Sequence, residues 1–195
     1  MVPEPHLMDR STPPALYERL LGPAWETLSE SLRRAHLRGE RLQLHGTFRI
    51  RRGDRRLSQL VATFLRLPAT GDSVATTLHV ARTATGERWV RWFGGVILTT
   101  DQSATSDGTM CERFGMIEIV CRLETAGDAI IYRQVGAALW LGGLRLRLPR
   151  FLWPKVDGIE EIDQSDMTHV SVRVVVPFIG HLISYDGCVA RDEQE

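Results

Sequence analysis

The hydrophobic pattern of this chain changes its period along the sequence. Over residues 13–37, apolar side chains recur at every third or fourth position, which predicts one amphipathic helix or two short ones interrupted at Gly22-Pro23. Apolar and polar positions then alternate over residues 41–51, which predicts a strand with one face towards solvent. Helical spacing returns over residues 57–65, and Pro68 favours a helix that ends before it.

From Gly71 onwards the chain shows one predicted strand after another, separated by short turns that contain glycine, aspartate or proline. The predicted strands cover residues 73–82, 87–99, 109–114, 116–124, 129–141, 144–148, 156–163, 168–176 and 181–189. Because strands joined by short links pair most simply as antiparallel neighbours, the fold class is predicted to be α+β and mostly β.

The expected architecture is a set of N-terminal helices packed on a curved antiparallel sheet or on a small lipocalin-like β-barrel. Closure into a barrel would remove the exposed edges of a long sheet. A barrel of about eight strands is either filled by its own side chains or holds one small ligand. The sequence pattern leaves both arrangements open, and the choice between them decides whether the barrel interior is a binding site.

Length and charge narrow the class of protein. The chain has 195 residues, which suits a single domain over residues 13–190 after a flexible arm at residues 1–12. Its 24 basic and 24 acidic residues give a net charge of zero, so no bulk field attracts nucleic acid or an anionic membrane. No apolar run approaches the roughly 18 residues of a membrane span, and no signal-peptide core is visible. A cytoplasmic protein without a membrane span is therefore expected.

The sequence offers no pattern for a metal or a nucleotide cofactor. The three cysteines lack zinc-ligand spacing and are interpreted as small buried residues, and the six histidines contain no HxH or HxxxH pair. The chain also lacks the glycine-rich phosphate loops and the GxSxG nucleophile motif. Acidic residues at positions 160–163 are interpreted as a solvated turn or edge. We therefore expect no cofactor and no metal.

The segment around Arg91 carries the most informative chemistry. On a strand, Trp89, Arg91 and Phe93 share one face, and an arginine between two aromatic rings can stack on them while presenting several hydrogen-bond donors. Such a group suits a carbonyl, enolate or carboxylate oxygen inside an apolar cavity. The alternative is an arginine whose stem follows the strand and whose charge reaches solvent.

Glu112 lies between Met110 and Phe114 on one predicted strand face. A carboxylate on an apolar face is costly to bury alone, so it should either pair with Arg91 or have a raised pKa. A raised pKa would suit general acid–base catalysis, whereas a buried Arg–Glu pair would be structural.

Other polar and aromatic residues complete the predicted site. The predicted catalytic residues are Arg91, Glu112, Tyr132 and His79. The predicted substrate-binding residues are Trp89, Phe93, Phe114, Trp140 and Tyr185. Tyr132 and Tyr185 would donate hydrogen bonds into a cavity, although both also fit ordinary strand pairing.

Short motifs occur in the order seen in one protein family. They include Leu16 to Gly22, Gly46-Thr47-Phe48, Leu67-Pro68, Trp89 with Arg91 and Phe93-Gly94, Glu112 with Phe114-Gly115, Leu148-Pro149, and Pro177 with Gly180 and Tyr185. From about residue 15 to residue 189 the chain therefore resembles the bacterial family named domain of unknown function 4166. Some members of that family are fused to a saccharopine-dehydrogenase-like oxidoreductase, so the resemblance also implies an oxidoreductase as a partner.

Three functions follow as expectations. The first is a cofactor-free cyclase or isomerase that binds an apolar natural-product intermediate, such as a polyketide, with Arg91 polarising an oxygen and Glu112 moving a proton. The second is a non-catalytic protein that binds a fatty or isoprenoid small molecule. The third is a structural or regulatory partner of an oxidoreductase, with a filled barrel and an exposed apolar patch. All three are compatible with a homodimer and none involves nucleic acid.

Overall fold

The computed structural model describes residues 14–36 and 40–191 of the chain. The helices are α1 (Leu16–Leu21), α2 (Glu30–Arg34) and α3 (Arg56–Phe64), with 3₁₀ helices at Gly22–Thr27 and Arg150–Leu152. The strands are β1 (Arg41–Arg52), β2 (Gly71–Arg82), β3 (Gly86–Phe93), β4 (Val96–Ala104), β5 (Met110–Phe114), β6 (Ile117–Thr125), β7 (Ala129–Leu141), β8 (Leu144–Arg147), β9 (Lys155–Ile162), β10 (Thr168–Val176) and β11 (Gly180–Arg191). The arm predicted at residues 1–12 lies outside the described residues.

The strands form a closed antiparallel barrel. The eleven-stranded sheet runs in the order β6-β5-β4-β3-β2-β1-β11-β10-β9-β7-β8, and an additional pairing of β6 with β7 closes it. Ten strands make the ring, and β8 extends β7 outside it as a hairpin. Each pairing is antiparallel, from β1–β2 through to β7–β9. The prediction of a mostly β chain with a strongly curved or closed antiparallel sheet is confirmed.

The single strand predicted over residues 87–99 is wrong. Gly94 and Gly95 have φ angles of 54° and 93°, a conformation that glycine adopts at little cost, and they turn the chain between β3 and β4. Apolar residues occupy both faces of the strand on each side of this turn, so the periodicity alone did not reveal it. The hairpin adds a strand to the ring and places Arg91 in β3 opposite Leu98 in β4.

Gly46 and Gly187 allow β1 and β11 to approach closely. A Cβ atom at Gly46 would lie 1.9 Å from the carbonyl oxygen of Cys188, and one at Gly187 would lie 2.2 Å from that of Thr47. No other residue fits at either position without moving the backbone of the neighbouring strand. These two glycines therefore permit the close approach of β1 and β11 in the ring.

The up-and-down topology gives the barrel two distinct ends. The α1 end holds α1, α2 and the turns β2–β3, β4–β5, β6–β7 and β9–β10, while the α3 end holds α3, the β8 hairpin and the remaining connections. At the α1 end, Tyr17, Trp25 and Leu32 have no exposed surface. The predicted interruption at Gly22-Pro23 is present, because Pro23 lies in the first turn of the 3₁₀ helix.

Candidate functional site

The barrel encloses a cavity of about 290 Å³ between its two ends. Its wall is mostly apolar and includes four valines of β10 together with Phe48 and Leu44 of β1. At the α3 end, Val61 of α3 and Leu65, directly after α3, also face this space. The cavity residues come from most strands of the ring, since every second side chain of a barrel strand points inwards. The barrel is therefore hollow, and a small apolar molecule has room inside it.

Four of the five predicted substrate-binding residues line the cavity. They are Trp89, Phe93, Phe114 and Tyr185. Phe48, Phe93 and Tyr185 form an aromatic cluster with ring centroids 5.5 to 5.9 Å apart. Burial raises the pKa of Tyr185 to about 12, and the nearby charge of Arg91 only partly opposes this shift. Tyr185 therefore stays protonated at neutral pH and offers an O–H group beside an apolar surface.

Arg91 and Glu112 meet on the cavity wall, as one of the sequence alternatives expected. The Arg91 Nη2 atom lies 3.6 Å from Oε1 of Glu112, and Nη1 donates a hydrogen bond of 2.9 Å to Oγ1 of Thr100. The guanidinium carbon also lies 5.2 Å from the centre of the Trp89 ring. Burial alone would lower the pKa of Arg91, but Tyr185 and Glu112 more than offset it, and the net shift is upwards. The cavity wall thus carries a fixed cation with N–H donors to spare.

A second polar group lies where the cavity meets the α1 end. The hydroxyl oxygens of Tyr17 and Tyr132 are 2.9 Å apart, and Tyr17 donates a hydrogen bond of 3.1 Å to Oε1 of Gln102. Tyr132 donates to Glu160, whose Oε2 atom lies 3.2 Å from Nε2 of His36. The His36 ring stacks on Tyr17 at 3.9 Å. We call these five residues the polar floor of the cavity.

The pKa values of Glu160 and Tyr132 in the polar floor are shifted in opposite directions. Burial alone would raise the pKa of Glu160, but contact with His36 and the hydrogen bond from Tyr132 lower it below the ordinary value. Burial and the charge of Glu160 raise the pKa of Tyr132 well above its ordinary value. Tyr132 is therefore a neutral donor and Glu160 a carboxylate acceptor at neutral pH. The polar part of the cavity therefore holds two acid–base contacts, Arg91 with Glu112 and His36 with Glu160.

Glu87 is a buried acid behind the same end of the cavity. It accepts hydrogen bonds from the backbone N–H of Leu16 at 3.1 Å and from Nε1 of Trp89 at 3.2 Å. The first bond satisfies an N–H group at the start of α1, and the second orients the indole that stacks on Arg91. Burial raises the pKa of Glu87. Glu87 therefore connects the N-terminal segment to the Arg91 site without facing the cavity.

Two predicted site residues lie away from the cavity. His79 is exposed on the outer face of β2, where its ring contacts Trp92 with centroids 4.6 Å apart. Trp140 lies on the outer face of β7 and donates a hydrogen bond of 2.7 Å to Oε2 of Glu118. The structure therefore does not bring His79 or Trp140 to Arg91, Glu112 and Tyr132, which do share the cavity.

Sequence reasoning missed most of the polar floor. Glu160 was predicted to be part of a solvated turn or edge, but only 8% of this residue is exposed, so that prediction is wrong. The missed signal is the alternation within β9, where Val156, Gly158 and Glu160 all face inwards while Asp157 and Glu161 face outwards. Tyr17 and His36 gave no such signal, because they lie outside the strands.

Comparison with known proteins gives one result. Residues 28–188 match the model of the family described as Domain of unknown function (DUF4166). The chain belongs to this family. The part that matches DUF4166 contains the whole barrel ring up to Cys188 in β11 and includes Arg91, Glu112, Tyr132 and Glu160, whereas Tyr17 lies before it. No curated protein and no solved structure matches the chain.

The described residues of this DUF4166 member contain neither a metal-ligand cluster nor a helix suited to span a membrane. In residues 14–36 and 40–191, no group of three His, Cys, Asp or Glu residues lies close enough to hold a metal ion. No helix in those ranges combines the length and apolar character needed to cross a membrane.

Proposed function

We propose that this protein binds an apolar small molecule with one neutral, oxygen-bearing end and isomerises or cyclises it without a cofactor. The observation that carries the proposal is the Arg91–Glu112 pair, at 3.6 Å, on the wall of the apolar cavity inside the barrel. Natural-product intermediates of the polyketide type have the required combination of apolar skeleton and carbonyl oxygens.

The charges of the cavity favour a neutral ligand end. Arg91 already has Glu112 as its partner at 3.6 Å, and Glu160 has His36 at 3.2 Å. An anionic ligand end would therefore compete with a carboxylate for each of these contacts in a region of low dielectric, where charge interactions are strong. A carbonyl or hydroxyl oxygen can instead accept a hydrogen bond from Arg91, Tyr132 or Tyr185 without adding charge.

The same groups suit proton abstraction next to a carbonyl. Glu112 would take a proton from the carbon beside the carbonyl group, and the electron pair of that C–H bond would move onto the carbonyl oxygen. Arg91 would stabilise the resulting enolate oxygen, as preorganised donors do for developing negative charge. In an unsaturated ketone, return of the proton from Glu112 to the far carbon of the extended enolate gives an isomer. Attack of the enolate carbon on a second carbonyl of the same molecule gives a ring, and the alkoxide oxygen formed there takes the proton back from Glu112.

Deuterium exchange tests this chemistry without knowledge of the natural substrate. A neutral naphthyl ketone such as prodan would be incubated with the protein in heavy water, and loss of hydrogen beside its carbonyl would be followed by NMR. Glu112→Gln should slow protein-dependent exchange by about a hundredfold or more, the usual contribution of a general base. Glu124→Gln, on the outer wall and paired with Arg133, is the matched control and should leave exchange unchanged.

A binding measurement separates the catalytic proposal from simple ligand carriage. Trp89 is only 4% exposed and lines the cavity, so a bound naphthyl ketone should quench tryptophan fluorescence in a saturable way. Val172→Phe, which adds volume on the cavity wall, should abolish that binding. Binding without exchange in the wild-type protein would refute the isomerase proposal and favour a non-catalytic binding protein. The mostly apolar cavity wall also suits such a protein.

A further inference from the structure

The α3 end of the barrel exposes an unusual amount of apolar surface. Phe178 is 83% exposed, Phe64 81%, Phe151 68% and Leu60 67%. These side chains come from α3, from the β10–β11 turn and from the segment after β8, so they lie around the same end. In the described part of the chain, none of the large apolar side chains that are exposed belongs to a turn of the α1 end.

α3 itself is apolar on two sides. Val61 and Leu65 face the cavity, while Leu57, Leu60 and Phe64 point outwards and are at least half exposed. The exposed polar residues Arg56, Gln59 and Thr63 lie on the opposite side of α3, so the helix is amphipathic, and its apolar side is wider than the part that faces the cavity. The outer side of α3 is therefore built to contact an apolar surface that is not part of this chain.

Phe178 gives an independent sign that this exposure is functional. It has a φ angle of 66°, in the left-handed region that costs energy for a bulky residue, at the tip of the β10–β11 connection. Glycine or asparagine would relieve this strain, and both are common in turns. The left-handed backbone of Phe178 costs free energy, and so does the exposure of its ring to solvent. Both costs point to a contact that the ring makes when the protein is at work.

Positive charge accompanies the apolar residues. The connections of the α3 end, residues 53–70, 94–95, 115–116, 142–154 and 177–179, contain six arginines and a single aspartate, Asp54. At the α1 end, residues 14–36 contain three arginines balanced by three glutamates, and the four turns, residues 83–85, 105–109, 126–128 and 163–167, add four aspartates and no lysine or arginine. Within the described residues, Arg55, Arg56 and Arg66 make no ion pair. The net charge of zero thus conceals opposite charges at the two ends.

From this arrangement we propose that the α3 end docks on an anionic membrane surface. Apolar side chains that enter the interface and arginines that contact acidic headgroups are the two contributions that bind peripheral proteins to such surfaces. This inference rests on the proposed function, because docking places the α3 end of the cavity, lined there by Val61 and Pro68, against the lipid. An apolar ligand then passes between lipid and cavity without crossing water.

Vesicle sedimentation tests the proposal on the full chain. Binding to vesicles of equal parts phosphatidylglycerol and phosphatidylcholine is expected, with much weaker binding to pure phosphatidylcholine and a loss of affinity as salt is raised. Leu60→Gln/Phe64→Gln should weaken binding by at least about tenfold, since both side chains would leave the interface. The double variant Arg55→Gln/Arg56→Gln should weaken it by about tenfold, because each arginine contributes a few-fold.

Matched controls lie on the barrel wall. Val135→Gln removes an exposed apolar side chain and Arg122→Gln an exposed charge, and both residues belong to strands rather than to the α3 end. Neither control should change sedimentation. Equal losses in the controls and in the α3-end variants would overturn the proposal, as would an absence of sedimentation with the anionic vesicles. In the latter case, binding of a purified oxidoreductase to the same face would identify a protein partner instead.

The two proposals fail separately. Val172→Phe should abolish binding of a naphthyl ketone and leave sedimentation with anionic vesicles unchanged. Sedimentation that persists while no ketone binds to the wild-type protein would refute the cavity function and leave the docking surface standing. Ketone binding without sedimentation would refute the docking surface and leave the cavity function standing.

Discussion

The two ends of this barrel differ in how far their apolar side chains are buried. The α1 end is filled, with Trp25 and Tyr17 fully buried and Glu160 held by hydrogen bonds, and its turns carry aspartates. The α3 end is covered by one nine-residue helix whose outer apolar side chains are exposed. Burial at the first end supplies stability and fixes the polar floor, while exposure at the second leaves the cavity accessible. A closed barrel can therefore separate its stabilising end from its binding end.

Removal of a buried ring at the α1 end is the largest expected effect. Trp25→Ala should lower the free energy of unfolding by about 3–5 kcal/mol, because it leaves a cavity in a part of the core with no exposed surface. Urea denaturation followed by circular dichroism measures this change. Phe151→Ala at the α3 end is the matched aromatic control and should change stability by about 0.5 kcal/mol or less. Similar losses in both variants would remove the contrast between the ends.

Neutralising Glu160 should have a smaller effect that depends on pH. Because its folded-state pKa is lowered, ionised Glu160 stabilises the fold above the ordinary glutamate pKa, and this contribution is lost as pH falls through the lowered value. Glu160→Gln should cost about 1–3 kcal/mol at neutral pH, and the difference from wild type should shrink in acid. Glu161→Gln, one residue further on the outer face, should leave the pH profile nearly unchanged. A wild-type profile that is already flat in acid would contradict this account.

The three tyrosines should sharpen the comparison spectroscopically. All three have raised pKa values through burial, to about 12 for Tyr185 beside Arg91 and well above the ordinary value for Tyr17 and Tyr132 in the polar floor. Tyrosinate absorbance should therefore show no ionisation at the ordinary value of 10 while the protein is folded. Tyr185→Phe should remove the ionisation step that appears first as the pH is raised. A step near pH 10 with intact circular dichroism would show that a hydroxyl reaches solvent.

The smallest expected effect on stability is at the outer side of α3. Phe64→Gln should change the free energy of unfolding by about 0.5 kcal/mol or less, because the ring is 81% exposed and packs on little. Thermal or urea unfolding measures it. A loss above about 1 kcal/mol would show that this side of the helix is a structural contact and would weaken the case for a docking surface.

Much of the barrel could be predicted because turn residues mark its strands. β7 spans residues 129–141 in both prediction and structure, since Gly127 and Asp128 precede it and Gly142 and Gly143 follow it. The face that a strand presents was harder to predict where pairing is irregular. In β7 one extra residue, Val135, interrupts the register with β6, so that Tyr132 faces inwards and Trp140 outwards. Simple alternation would have placed both on the same face.

His79 was misplaced for a different reason. Its neighbours Leu78 and Val80 occupy the apolar face of β2, so alternation already predicted an outward histidine. The residue was chosen for its chemistry rather than for its position in the pattern. Arg91 and Glu112 were chosen on both grounds, and these are the predicted residues that the structure brings within 3.6 Å.

The sequence by itself determined most of the strands, many of their ends and the inward faces of β3 and β5, because alternation and turn residues act over a few neighbouring positions. Only the tertiary structure decided that the sheet closes, that the closed ring stays hollow, and that Tyr17, Gln102, Tyr132, Glu160 and His36 converge. This convergence depends on contacts between distant residues, such as Tyr17 and Tyr132, which are 115 positions apart, and no local pattern records such contacts. The opposite charges of the two ends also depend on the ring, because its closure brings every second turn of the chain to the same end.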